Sequence, residues 1–478
     1  MTFSNDRARW LALYVLCLCD LMIVLDGTIV NVALPSIRDD LGFSQTSLAW
    51  VVNAYLLTFG GFLLLGGRLG DLFGHRRLFL SGISLFTVAS LACGLANSQE
   101  LLVASRAVQG IGGAVVSAVA FSLLMTIFTE PADRAKAMGV FGFVLSGGGV
   151  IGVLAGGVLT DILNWHWIFL VNIPVGVLVY ALSVRLLPGM AGHAQGRVDV
   201  AGAIAVTASL MIAVYAIING NEEGWTSTAT LVPLGAAAVL FALFVVIEAR
   251  ISAPLVPLRL FRNRNVSAAN VLGALMAAGL FAYFFFSALY MQLVLEYTPL
   301  EVGLAYLPGT VVWGSSSLLL SDRLVMRYGI KTPMLTGMAL TLVGLLLLAR
   351  VPVGGDWALD IAPATIFVGL GMGIAFNPIL LAAMSGVPQE QAGLASGVVN
   401  TAFMMGGAVG LAVLAALAAL RNDDLLASGE GVAVALNGGY HVAFLVGAAF
   451  VVVAGAVAAA VLRVAAPQAH GVPAPAEC

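Results

Sequence analysis

The chain has 478 residues, of which 60% are hydrophobic and only 9% charged, with a net charge of −3 and a mean hydropathy of +1.03. Soluble globular proteins carry about 25% charged residues, so no water-soluble fold hides this much apolar surface behind so few charges. No basic patch or stripe points to a nucleic-acid partner.

A helix needs about 20 mostly apolar residues to cross the hydrocarbon core of a bilayer. The first such segment, 10–34, follows Arg7 and Arg9 and is interrupted by Asp20 and Asp26. No small-residue cleavage site comes after it, so it reads as a retained first helix and not as a signal peptide. Segments 47–67, 78–96, 101–128, 135–159 and 165–186 complete a first set of six. Two more follow at 198–219 and 231–247, then a Pro-containing, alternately apolar and basic stretch at 250–265 that is expected to lie along the inner surface. The last six are 266–293, 302–321, 333–351, 361–384, 393–420 and 442–462.

The expected fold is therefore all-α and membrane-integral: two six-helix bundles related as pseudo-twofold repeats, plus two extra central transmembrane helices, fourteen in total. The domains expected are an N-terminal bundle (1–186), a linker with the two additional helices (187–264), a C-terminal bundle (265–464) and a disordered cytoplasmic tail (465–478). A repeat is hinted at where Leu69, Gly74 and Arg76 fall in register with Leu324, Gly329 and Lys331.

Loop charge gives an orientation, because cytoplasmic loops are rich in Lys and Arg. With both termini inside, seventeen of the twenty-one basic residues fall on the inner side, whereas outer loops carry acidic pairs such as Asp39–Asp40, Glu222–Glu223 and Asp423–Asp424. The expected location is the plasma (inner) membrane, with both termini cytoplasmic. None of the connections is long enough for a soluble catalytic domain. Cys17, Cys19, Cys93 and Cys478 make neither a disulfide framework nor a metal site, since residues two apart on a helix point away from each other. The five histidines are scattered and no DxxxD or HxxxH pairing stands out, so an enzyme is not expected.

Three constellations carry the chemistry. Asp20, Asp26 and Arg106 are charges inside apolar segments, where an ionisable group costs at least ~2.5–3.5 kcal/mol and is functional by default. Asp20 and Asp26 are six residues apart and so lie on helix faces about 120° from each other. A carboxylic acid shielded from water favours its protonated form and a nearby cation favours the ionised one, so a carboxylate that alternates between such surroundings can load and release a proton. The structural alternative is an Asp26–Arg106 ion pair that only holds helices together. In the second constellation, Gly67 to Arg77, the glycines Gly67, Gly70 and Gly74 leave a helix face open to close approach. There Asp71 can cap a helix N-terminus, and Arg76 and Arg77 sit at headgroup level. This reads as a gate, or else as a topology anchor. The third is a segment with eight glycines in nineteen residues, 139–157, among them Gly148, Gly152, Gly156 and Gly157, which reads as a surface for packing against a sliding partner.

Together these segments resemble the major facilitator superfamily, and more closely its fourteen-helix drug:proton antiporter branch. Leu25–Pro35 resembles that branch's first-helix motif and Gly67–Arg77 the superfamily's signature loop. Arg106–Gly113 is similar to the helix-four motif, Gly148–Gly157 with Trp167–Gly176 to the helix-five motif and its sequel, and Ala392–Gly397 to a late-helix pattern. The resemblance implies alternating access between two bundles and export of small amphipathic or hydrophobic compounds, such as drugs or antibiotics, in exchange for protons. On that reading Asp26, with Asp20, carries the proton and Arg106 tunes its affinity. Asn31, Gln109, Phe284, Asn377, Asn400 and Met404 are the substrate-cavity candidates. The chain needs no cofactor and no metal, is driven by the proton gradient, and works as a monomer. It departs from the pattern at Val153, where the motif usually has Pro, at Asp20, which is not a motif residue, and at Phe403–Met405, where relatives often place Arg and Gln. The alternative is a proton-coupled importer or uniporter of a small organic solute on the same fold.

Overall fold

The computed structural model describes residues 6–44, 46–128, 130–187, 199–251, 254–385 and 387–463. The expected tail at 465–478 and nearly all of the connection at 187–198 lie outside the described residues.

With no water in the hydrocarbon core to satisfy N–H and C=O groups, a spanning backbone must bond to itself, and the described residues are helical nearly throughout. The first half contains α1 (Asp6–Leu41), α2 (Trp50–Phe73), α3 (His75–Gly94), α4 (Gln99–Ile127), α5 (Pro131–Ile162), the single turn α6 (Trp167–Leu170) and α7 (Asn172–Leu186). Then come α8 (Val200–Glu223) and α9 (Thr228–Arg250). The second half contains α10 (Arg264–Leu293), α11 (Pro299–Ser316), α12 (Asp322–Tyr328), α13 (Lys331–Leu348), α14 (Ala362–Met384), α15 (Gln389–Ala427) and α16 (Val432–Val461). With α6 and α7 counted as one, twelve membrane-length apolar helices lie among the described residues. The 32-residue α5 and the rod from Pro299 to Tyr328, continuous through a π-helical turn at Ser317–Ser321, bring the crossings to fourteen. The protein is a multi-pass membrane protein.

Two expected segments differ in detail. The stretch 165–186 is broken at Val171, and α7 restarts so that Pro174 falls in its first turn, where the missing N–H removes no helical bond. With Val at 153, α5 runs without interruption from Pro131 to Ile162.

In the first half α4 packs on α2 and α3, and α1 on α5, α7 and α4. In the second half α10 packs on α15 and α16, and α14 on α13 and α11. The halves meet along two seams, α5 with α11 and α2 with α15. The α8–α9 hairpin stands beside the second seam, with α8 against both α2 and α15.

Fourteen crossings put Asp6 and Val461 on one face, called here the terminal face; the other is the far face. The α5–α11 seam is closed near the far face. A Cβ on Gly157 would lie 2.7 Å from the Pro299 carbonyl oxygen, and one on Gly303 would lie 3.0 Å from that of Val153. Gln292 of α10 donates to the Val32 carbonyl of α1 at 2.8 Å nearby.

The repeat hinted at in the sequence has a structural counterpart on the terminal face. Gly74, between α2 and α3, has φ +92°, and Gly329, between α12 and α13, has φ +75°, a region that side-chain-bearing residues rarely adopt. Two residues on, Arg76 donates to the Val184 carbonyl in the last turn of α7. Lys331, also two residues past its glycine, donates to the Ala459 carbonyl at the end of α16 at 2.6 Å. In each half a cation thus meets the negative end of the half's last helix.

Candidate functional site

The helix-four motif positions its Arg through its glycines. A Cβ on Gly110 would lie 2.5 Å from the Tyr55 carbonyl oxygen of α2, and one on Gly112 would lie 2.7 Å from the Phe86 amide nitrogen of α3. Only hydrogens at these positions let α4 wedge between α2 and α3. That wedge sets Arg106 and Gln109, one helical turn apart on α4, against α1.

There Asp26 collects three donors. Arg106 Nη1 lies 2.5 Å from Asp26 Oδ2, while Gln109 Nε2 and Asn172 Nδ2 donate to Oδ1 at 2.7 and 2.9 Å. Arg106 also donates through Nε to the Val51 carbonyl at 3.0 Å and through Nη1 to Gln109 Oε1 at 2.7 Å. Its guanidinium sits 4.3 Å from the Tyr55 ring centroid, a cation–π distance. Ser90 Oγ of α3 accepts from Gln109 at 2.6 Å and from Asn172 at 3.2 Å, and the Cys93 thiol approaches Gln109 Oε1 at 3.7 Å. Asp26 and Gln109 have no solvent exposure and Arg106 has 1%. The cluster is neutral as a whole, and its charges are hydrogen-bonded on several sides, which is the condition for burying an ion pair. If Asp26 takes up a proton, Arg106 still has Gln109, Val51 and Tyr55 to hold it, so the cation can stay in place while the carboxyl changes charge.

Asp20 lies six residues earlier on α1, about 9 Å along the axis. Ser117 Oγ donates to its Oδ1 at 2.9 Å, while Oδ2 has no partner among the described residues, and the residue is 2% exposed. Helical geometry puts the two carboxylates on different faces of α1, yet both meet α4, Asp26 between α4 and α7 and Asp20 at Ser117. Asn172, Ser90 and Ser117 were not singled out in the sequence. The signal for Asn172 is a lone amide in an apolar stretch two residues before a Pro.

The remaining expected residues are dispersed. In the α2–α3 turn, Gly70 packs on His75 and Val119, Gly67 faces Ala118, and Arg77 is exposed; the side chain of Asp71 lies outside the described residues. The glycine helix splits its contacts. Gly148, Gly152 and Gly156 lie on Val24, Thr28 and Ile29 of α1, whereas Gly157 lies on Pro299 and Leu300 of α11. Of the cavity candidates, Gln109 belongs to the buried cluster, and the Asn31 amide bonds to its own helix at the Thr28 carbonyl, 3.2 Å away. Phe284 is buried, its ring 5.6 Å from that of Tyr306. Asn377 is half-buried, 3.4 Å from Ser317 Oγ, and Asn400 is also half-buried. Met404, half-buried, lies over Gly60 in the α2–α15 seam.

The family model of the Major Facilitator Superfamily matches residues 16–411. The chain is 38% identical to puromycin resistance protein pur8 of Streptomyces alboniger over 92% of its own length and 89% of that protein's. It is 38% identical to cephamycin export protein CmcT of Amycolatopsis lactamdurans over 86% of its own length and 85% of that protein's. Among solved structures, a bacterial homolog of the human lysosomal transporter Spinster, in an inward-facing and unoccupied conformation, superposes with a TM-score of 0.67 at 16% identity, over 95% of this chain and 97% of that one.

Proposed function

Because this chain belongs to the Major Facilitator Superfamily, we propose that it exports small amphipathic or hydrophobic organic compounds, antibiotics among them, in exchange for protons. It does so by alternating access between its two halves, as a monomer in the plasma membrane with both termini cytoplasmic. The names of its relatives, a puromycin resistance protein and a cephamycin export protein, support the substrate class and the direction.

The observation that carries the coupling is the buried Asp26–Arg106 cluster. Asp26 is the proton carrier: ionised, it is held by Arg106, Gln109 and Asn172. A movement that draws α1 away from α4 removes the cation and favours protonation. Asp20, with one carboxylate oxygen unpartnered among the described residues, is a second carrier on the same helix. Gly148, Gly152 and Gly156 are the bearing on which α5 shifts along α1, and the α2–α3 turn with Gly67, Gly70, Asp71, Gly74, Arg76 and Arg77 gates the terminal face. A single proton entering down 100 mV releases about 2.3 kcal/mol, enough at ~1.4 kcal/mol per decade for roughly a fortyfold gradient of a neutral solute.

Proteoliposomes with a trapped pH dye and an imposed pH gradient test this. Lipophilic cations and neutral antibiotics are added to the wild type and to Asp26→Asn. Substrate-driven proton movement in the wild type, lost in the variant, is expected; substrate flux with no proton flux would sink the coupling.

A further inference from the structure

The α8–α9 hairpin holds a second pair of buried acids, remote in sequence from the Asp26 cluster. Asp199, at the N-terminus of α8, is 1% exposed, and Glu248, in the last turn of α9, is 3% exposed. Each spends one oxygen on a backbone amide: Gly202 N–H donates to Asp199 Oδ1 at 2.7 Å, and Val256 N–H donates to Glu248 Oε2 at 3.1 Å. The other oxygens, Asp199 Oδ2 and Glu248 Oε1, find no donor among the described residues. Ser209 Oγ of α8 donates to the Ala237 carbonyl of α9 at 2.8 Å, and the antiparallel register set by that bond puts Asp199 opposite the last turn of α9, where Glu248 stands. Ionised carboxylates are acceptors only, so a contact between two of them requires a proton or a cation to lie between.

We propose that Asp199 and Glu248 form a proton-binding site in which one shared proton joins the ends of α8 and α9 and, through Val256, the linker that leads to α10. No ion-pair partner of either acid lies among the described residues. Arg250 is exposed and about 200° round α9 from Glu248. Arg259 and Arg262 of the linker and Arg68 of α2 are likewise exposed, and the side chain of Asp71 lies outside the described residues. Among the described residues, Leu65 of α2, Ala203 of α8 and Leu255 of the linker pack together as one apolar cluster at this end of the hairpin. A proton serves this site better than a metal ion, because the acids supply two free oxygens and a divalent cation of the Ca²⁺ type takes about 6–8.

In an unfolded chain Asp and Glu ionise near about 3.9 and 4.3, so above that range a folded state that keeps the shared proton holds one proton more than the unfolded chain. The stability contributed is therefore present at low pH and lost as pH rises through the point where the shared proton leaves.

The test uses the full chain in lipid nanodiscs and does not depend on transport. Infrared spectra in H2O and D2O at mildly acidic pH are compared for the wild type, Glu248→Gln and Asp199→Asn, and thermal unfolding is followed against pH with and without Mg²⁺ or Ca²⁺. Each variant is expected to lose one carboxylic-acid carbonyl band per chain and to unfold at a midpoint less dependent on pH, since an amide supplies the bridging hydrogen without a titrating proton. An unchanged band in folded variants would overturn the proposal. So would a midpoint raised by either cation in the wild type alone, which would make this a metal site. If neither variant folds, the wild type decides. A midpoint that falls with rising pH and ignores both cations supports the shared proton, and a cation-raised or pH-independent midpoint refutes it.

Discussion

Arg106 Nη1 and Asp26 Oδ2 lie 2.5 Å apart where neither side chain meets solvent. Truncating one partner of a buried ion pair strands the other and costs about 3–5 kcal/mol. Asp26→Ala and Arg106→Ala should each lower the unfolding midpoint in detergent by that order. The double variant should cost less than the sum by roughly 0.5–3 kcal/mol. Additive losses would show that the two groups do not act as a pair.

Arg106→Lys keeps the charge and loses the fork. Lys has no counterpart to the Nε that bonds the Val51 carbonyl, and its ammonium is a point charge on a flexible stem. Proton exchange should survive at a reduced rate, with substrate affinity within about tenfold, ~1.4 kcal/mol, of the wild type. Flux and binding assays on the same reconstituted protein separate the two effects.

Asp20→Asn should leave substrate-driven proton release in place with fewer protons moved per substrate. The ratio is read from the gradient at which net flux reverses. An unchanged ratio would reduce Asp20 to a structural partner of Ser117.

Gly157→Val places methyl groups where the Pro299 carbonyl lies 2.7 Å from the first added carbon. The α5–α11 seam then cannot close at the far face, and the far-face-open arrangement should gain. Labelling of single cysteines near residues 157 and 300 should speed up while turnover slows. A wild-type labelling rate would mean that the seam does not open there during transport.

Arg76→Ala and Lys331→Ala remove equivalent cations from the ends of α7 and α16. A charge at a helix terminus contributes typically 0.3–1 kcal/mol. The two substitutions should cost similar amounts by thermal unfolding, and raised salt should narrow the difference from the wild type.

The fourteen crossings were legible because the bilayer allows only long apolar helices here, and Asp26 and Arg106 were legible because charge is so conspicuous in such segments. The rest of the cluster was not. Asn172 reaches Asp26 only because the helix breaks at Val171 and restarts ahead of Pro174, and a hydropathy profile passes over that break. Gln109 reads as a polar side chain facing a cavity, yet its amide is spent on Asp26 and Ser90. The 120° between Asp20 and Asp26 did not reveal that one neighbouring helix meets both, because the long Arg106 side chain closes the angular gap. The glycines of α5 announced close packing without saying that 148, 152 and 156 serve α1 while 157 serves α11.

The hairpin beside one seam has a consequence for a solute dissolved in lipid. Helix α8 leans on both α2 and α15 and so roofs that seam against the acyl chains, whereas the α5–α11 seam has no such roof among the described residues. A lipophilic solute that reaches the two halves through the bilayer would meet the α2–α15 seam covered by this hairpin and the α5–α11 seam bare of one.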